Sequence, residues 1–384
     1  MRRGILLIVI ATLLVAACST TGPSGNATQT QSSASPITVV INEKTKSEIS
    51  AVLQRRQTAL AGRDLQGFQS TIDMTRPALR RCQQESFDIA VRQGAASTGP
   101  LVGKVEVYAG IYVRAYVDEG LGFSRLYFKN DGTRWLLTEP KESELGGEKT
   151  KTVSGVDLSY WGIDEDISDA FGQAGADTRA FLLNVAIKPP ARPFAFRLFP
   201  TRESAGLTAS CITAGSSFGA NTLDPFLRFY KYWLGPDFVK PADYQRAVMK
   251  HEGLHWLQEQ TIPGINARLD WWLVEGWPDY IGESRPQGAK TSAVCGNAIP
   301  TFKQLVDGPD ADPNVTPERS VQFYAFANTM VEYLYATFRK DAYWDLLTAY
   351  KETVDPQVNY PKVLSVTPTQ FYEGWVGFAK KKYC

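Results

Sequence analysis

From Ser47 to Gln93 the apolar positions recur at helical spacing in three blocks, Ser47 to Arg63, Asp64 to Ile72 and Arg76 to Gln93. The period then drops to two. Lys104 to Ala109, Ile111 to Asp118, Gly122 to Lys129 and Thr133 to Thr138 alternate as half-buried strands do, and Asn130-Asp131-Gly132 supplies a hairpin turn between the last two. A Gly-rich, charged stretch from Glu142 to Lys151 interrupts the pattern and reads as a connection between domains. Beyond it, Phe194 to Phe199 predicts a buried strand and Phe226 to Leu234 an aromatic strand or short helix. Tyr244 to Gln260, Val321 to Phe338 and Ala342 to Val354 predict helices. The expected fold class is α+β: helices followed by a curved antiparallel sheet, then a mainly helical domain with a small sheet. About 350 residues exceed one ordinary core, which favours two domains, 37–149 and 150–384.

The first 36 residues belong to neither. Arg2 and Arg3 precede an apolar run from Ile5 to Ala17, too short to span a bilayer and laid out as a secretory signal peptide covering 1–17. Val15-Ala16-Ala17-Cys18 resembles a bacterial lipobox, which implies that Cys18 becomes a lipid-bearing amino terminus and anchors the chain to a membrane of the cell envelope. Residues 18–36 are then the lipidated cysteine and a tether of small and polar residues unable to bury a core, with a mean reach of roughly 20–25 Å. With Cys18 so assigned, Cys82, Cys211, Cys295 and Cys384 remain in a compartment that permits disulfides. Four cysteines allow three pairings, and at most one bridge is expected wholly within 150–384. Lys and Arg number 41 against 40 Asp and Glu, so there is no basic footprint for nucleic acid and no polybasic support for membrane binding.

The chain has two histidines, and both lie in His251-Glu252-Gly253-Leu254-His255. This is the H-E-x-x-H pattern. On a helix, positions i and i+4 share a face, so two imidazoles can reach one zinc ion while Glu252 leans toward a water beside it. A catalytic site of this kind needs a third protein ligand. Glu275 stands twenty positions after His255, in Trp272-Leu273-Val274-Glu275-Gly276, with Pro263-Gly264 as a turn between. At these residues the chain resembles the gluzincin metallopeptidases, the clan of thermolysin and the neutral aminopeptidases. The resemblance implies His251, His255 and Glu275 as zinc ligands and Glu252 as general base. Asp279, four residues after the third ligand, either orients His251 or is a helix N-terminal aspartate favoured by the macrodipole. Pro278 departs from the family pattern and predicts that the ligand helix begins at Glu275 or Gly276.

Hydrolysis also needs an oxyanion donor. Tyr324, in Tyr324-Ala325-Phe326-Ala327-Asn328, resembles the catalytic tyrosine of the aminopeptidase branch, with Ala327 in place of the usual glycine; Tyr280 and Tyr333 are the reserves. Phe218-Gly219-Ala220-Asn221-Thr222 stands where aminopeptidases carry a glutamate that holds the substrate amino terminus, and it has none, which points to an endopeptidase or reads simply as a turn. The N-terminal helices and strands, with Arg55-Arg56-Gln57-Thr58-Ala59-Leu60, resemble the cone-shaped fold of ketosteroid isomerase and nuclear transport factor relatives, an expected surface for a protein partner. Tyr108, Tyr112, Tyr116, Tyr127 and Trp135 read there as core and sheet face rather than a ligand pocket. The expectation is a lipid-anchored, extracytoplasmic zinc peptidase acting on peptides or proteins. The alternatives are an envelope lipoprotein that keeps the zinc-site scaffold as a binding module, and a zinc hydrolase of non-peptide amides.

Overall fold

The computed structural model describes residues 43–93, 101–108, 112–118, 120–206, 216–218, 226–230, 232–283, 285–296, 298–311 and 315–384. The signal peptide, Cys18, the tether, Cys211 and the segment 219–222 lie outside them. The fold is α+β, with twelve α-helices and two small sheets among the described residues. None of those helices is long and apolar enough to cross a membrane.

Helices α1 (Glu43–Ala61), α2 (Leu65–Gln69) and α3 (Pro77–Gln93) precede an antiparallel sheet of β1 (Leu101–Tyr108), β2 (Tyr112–Asp118), β3 (Phe123–Asn130) and β4 (Trp135–Thr138), paired in sequence order. Alternation gives this sheet two faces. Val105, Val113, Ala115, Val117 and Phe128 pack on Ile49, Val52 and Leu53 of α1. Tyr108, Tyr112 and Tyr127 point the other way, onto Leu145, Trp161 and Ile163. The second face is therefore covered by the chain that follows, and β2 is buried along nearly its whole length.

Between these layers lies a cluster of buried charge. Arg114 donates to Glu106 at 2.6 and 2.9 Å and to the carbonyl of Ile163 at 2.9 Å, while Arg125 pairs with Asp164 at 3.0 Å and Asp166 at 2.7 Å. Tyr232 donates to Asp164, Tyr116 to Glu106, and Lys104 pairs with Glu106. Burial pushes the Asp164 carboxyl above its ordinary range despite the attraction of Arg125. Charges at this depth are tolerable because each has an opposite charge or a hydrogen-bond partner beside it, and Arg114 and Arg125 carry the network across to Ile163, Asp164 and Asp166.

The stretch read as a connector holds a 3-10 turn at Glu142–Glu144 and a strand, β5 (Glu148–Val153). Its alternating charged and Thr residues suit an exposed edge strand, which is why hydropathy did not reveal it. β5 pairs antiparallel with β6 (Val156–Trp161), and α4 (Glu165–Val185) leads to β7 (Ala195–Phe199), parallel to β6. β8 (Ser216–Phe218) and β9 (Phe226–Tyr230) complete the order β5-β6-β7-β9-β8. The aromatic run after Phe226 is thus a strand.

The remaining elements are helical: α5 (Asp243–Thr261), α6 (Trp271–Ile281), α7 (Gln287–Gly296), α8 (Phe302–Asp307), α9 (Pro317–Thr337), α10 (Ala342–Glu352), α11 (Pro356–Leu364) and α12 (Pro368–Tyr383). Cys295 at the end of α7 is joined to Cys384 beyond α12, with a Cα–Cα distance of 5.6 Å. Cys82 is disulfide-bonded as well. Two glycines let the site helices close. A Cβ on Gly276 would lie 2.5 Å from the Ala327 carbonyl oxygen, so α6 meets α9 backbone to backbone, and a Cβ on Gly253 would lie 2.9 Å from Leu182 of α4.

Candidate metal centre

Helix α5 is buried without a break from His251 to Glu259, although that span includes His251, Glu252, His255, Gln258 and Glu259. Polar groups so placed are costly unless partnered, and Gln258 and Glu259 have specific partners. Glu259 accepts from the amides of Gly264 (2.7 Å) and Asn266 (2.9 Å), and so fixes the Pro263-Gly264 turn, where Gly264 has φ +76°. This turn sends the chain back so that α6 lies against α5. His251, His255 and Glu275 then converge: the two Nε2 atoms are 3.2 Å apart, and each is 3.3 Å from Glu275 Oε2. They form the one group of three His, Cys, Asp or Glu side chains arranged to hold a metal ion among the described residues.

Helix α6 begins at Trp271, not at Glu275 or Gly276, and Pro278 lies inside it. The reason is a substitute donor. Pro278 has no N–H to give the Val274 carbonyl, and Gln258 Nε2 donates to that oxygen at 3.3 Å. The same Gln258 amide donates to the Tyr343 hydroxyl at 2.5 Å, while its Oε1 meets His255 Nδ1 at 3.0 Å. The proline therefore frees a carbonyl that anchors the group orienting His255.

Asp279, on the same face as Glu275, places Oδ1 3.6 Å from His251 Nδ1. It belongs to the C-terminal half of α6, so a helix N-terminal role does not apply. Its other oxygen accepts from Arg285 Nε at 2.7 Å. The Arg285 guanidinium lies 5.1 Å from the centre of the Tyr324 ring, and that ring is 6.5 Å from His251 and 5.0 Å from Trp271. Tyr324 is thus brought beside the cluster. Tyr333 packs instead among Phe338, Phe371 and Phe378, and Tyr280 against Tyr335.

The electrostatics follow from burial and proximity. Burial alone would favour neutral forms, but Glu275 beside His255 raises the imidazole to about 9, with help from Glu252 and Gln258. Glu275 in turn, despite its burial, is held well below the usual carboxylate range by the two histidines. Burial and the nearby carboxylates push the Tyr324 hydroxyl well above its ordinary value, so it stays protonated.

Compared with known proteins, the chain matches no protein-family profile and no curated protein sequence. Gln258 and Arg285 are the two site residues that sequence reading passed over. Gln258 was findable, since it stands three residues after His255 on the same helix face. Arg285 was not: it lies beyond the end of α6, where no periodicity applies.

Proposed function

We propose that the chain is a zinc peptidase of gluzincin type, its first domain cone-like, its second a mainly helical peptidase domain. The observation that carries this reading is the spacing of the three donor atoms. Bonds of about 2.0–2.1 Å at tetrahedral angles would separate ligand atoms by about 3.3–3.4 Å, and the separations here are 3.2, 3.3 and 3.3 Å. Two imidazoles and one carboxylate, with a position left for substrate or water, are also the donor set of catalytic rather than structural zinc. Zinc bound there would supply a Lewis acid, polarising a carbonyl and bringing a water's pKa toward about 7.

The chain's own residues supply the rest. Glu252, buried one position along from His251, takes the proton of the attacking water and delivers it to the leaving nitrogen. Tyr324, kept protonated, donates to the oxyanion. Gln258 holds the outer nitrogen of His255 at 3.0 Å, and Asp279, 3.6 Å from the outer nitrogen of His251, favours a proton there, so that the inner nitrogens face the metal. An endopeptidase is preferred to an aminopeptidase because no glutamate stands in the segment 218–222. Loss of metal-dependent cleavage of an unstructured protein in the Glu252→Gln variant tests the assignment, and a wild-type chain that binds no zinc and cleaves nothing defeats it.

The proton on His255 has a consequence for metal binding. Because its pKa in the metal-free protein is about 9, zinc must displace a proton at every pH below that. Apparent affinity should fall about tenfold per pH unit as pH drops from 9 to 7, and calorimetry in buffers of different ionisation enthalpy should count about one proton released per zinc at pH 7. The sign for stability is the reverse. A raised histidine pKa stabilises the metal-free protein fully below about 6.5, and that contribution is lost as pH rises through about 9. Absence of proton release at pH 7 would contradict the coupling.

The lipobox resemblance supports a location on a membrane facing away from the cytoplasm, with the chain tethered through Cys18. Wild-type protein should partition into detergent and resist extraction by salt, since acyl burial contributes roughly 0.8 kcal/mol per methylene and is not screened. A Cys18→Ser chain that fractionates identically would remove the anchor and leave the metal centre untouched.

A further inference from the structure

A cavity of about 380 Å³ opens beside the metal centre, lined by Tyr280, Ile281, Glu283, Arg285, Lys290 and Asn328. It shares one wall with the site already described, since Arg285 is the residue that grips Asp279 and covers Tyr324. Its chemistry is otherwise unused. Lys290 has no ion-pair partner among the described residues; the carboxylate whose charge it feels, Glu332, is already bound by Lys382 at 2.5 Å. Asn328 is only 1% exposed, and its Oδ1 accepts no hydrogen bond. An acceptor buried this way carries a desolvation cost until a donor reaches it. The one acidic side chain in the wall, Glu283, is exposed. The walls thus offer two cations, the Tyr280 hydroxyl, the exposed Glu283 carboxylate and one buried acceptor without a donor.

A simple anion would satisfy Lys290 and Arg285 but leave Asn328 Oδ1 without a donor. A carboxylate with an N–H two bonds from its carbon satisfies all three, and that is the terminal unit of a peptide or a free amino acid. We propose that this cavity binds an α-carboxylate with its adjacent N–H: Lys290 and Arg285 hold the carboxylate, and Asn328 accepts from the nitrogen. The site itself stands on the cavity; any effect on hydrolysis rests on the peptidase reading. That effect has a physical route, because a ligand on Arg285 bears on Asp279, which faces His251 Nδ1.

The test uses the full chain carrying Glu252→Gln, so that ligands are not consumed, titrated calorimetrically with acetyl-trialanine, its C-terminal amide and free alanine. Lys290→Met keeps the aliphatic stem and removes the charge. The acid should bind about tenfold or more tightly than the amide, as expected for a lost charge-assisted bond, and Lys290→Met should erase that difference. Equal binding of acid and amide, no binding of either, or an undiminished preference in Lys290→Met overturns the proposal. If alanine alone shows the Lys290-dependent binding, the ligand is a free amino acid acting as an effector; if only the tripeptide does, it is a peptide terminus. A chain that binds the acid through Lys290 yet takes up no zinc would retain this site and lose the peptidase reading. Normal wild-type cleavage with no carboxylate preference would do the opposite.

Discussion

A Glu252→Gln chain should bind one zinc ion as tightly as the wild type while cleaving an unstructured protein about 10²–10⁴-fold more slowly, the usual cost of losing a general base. The reason is positional. Glu252 lies between the two histidines in sequence but outside the triad of converging atoms, so its loss removes a proton acceptor and no metal bond. His251→Ala, His255→Ala and Glu275→Ala should behave in the other way: each removes one of three inner bonds and abolishes stoichiometric zinc. Glu275→Ala also leaves the paired imidazoles, 3.2 Å apart, without the carboxylate that sustains the proton on His255. Metal content by atomic absorption beside turnover separates the two classes, and full activity in Glu252→Gln would sink the mechanism.

Tyr324→Phe should lower kcat about 10²–10³-fold with KM and zinc content little changed, because an oxyanion donor acts mainly in the transition state. The ring would keep its packing on Trp271 and its place beneath Arg285, so folding should be normal. Tyr333→Phe is the control, as its ring sits among phenylalanines away from the cluster. An unaffected kcat in Tyr324→Phe would mean that another donor serves the oxyanion.

Much of the region around the site could be read from the chain because its elements obey strong local rules. H-E-x-x-H places two imidazoles on one helix face, and a Pro-Gly pair ends the helix and returns the chain. The first sheet was legible for the same reason, period two with an Asn-Asp-Gly turn, and its β3 and β4 lie within two residues of the strands read from the pattern. What escaped depends on distant partners. Pro278 predicts a helix start by local rules, and the helix runs through it because Gln258, from a different element, takes over the orphaned carbonyl. β5 carries no apolar signal because both of its faces are largely exposed, and α4, whose buried Ile167, Phe171, Ala174 and Leu182 do recur at helical spacing, went unread because the buried Ser168, Gly172, Gly175 and Thr178 dilute its apolar stripe. Asp279 is a case where two readings stood open and the position within α6 removes one of them, the helix N-terminal role.

The buried charge between the first sheet and the residues after it also bears on how this protein can change over generations. Glu106 and Arg114 come from one side of the junction, Asp164 and Tyr232 from the other. A gene fragment encoding only the later half would inherit Asp164 without Arg125, and Trp161 and Ile163 without the tyrosines that cover them. Recombination that exchanged either half for a foreign module would have to bring in a matching set of opposite charges at the same depth, several substitutions at once. Loss of Arg125 alone would leave Asp164 buried with the Tyr232 hydroxyl but no ion-pair partner among the described residues, so a foreign N-terminal half would have to present a cation at the same depth before the junction could close.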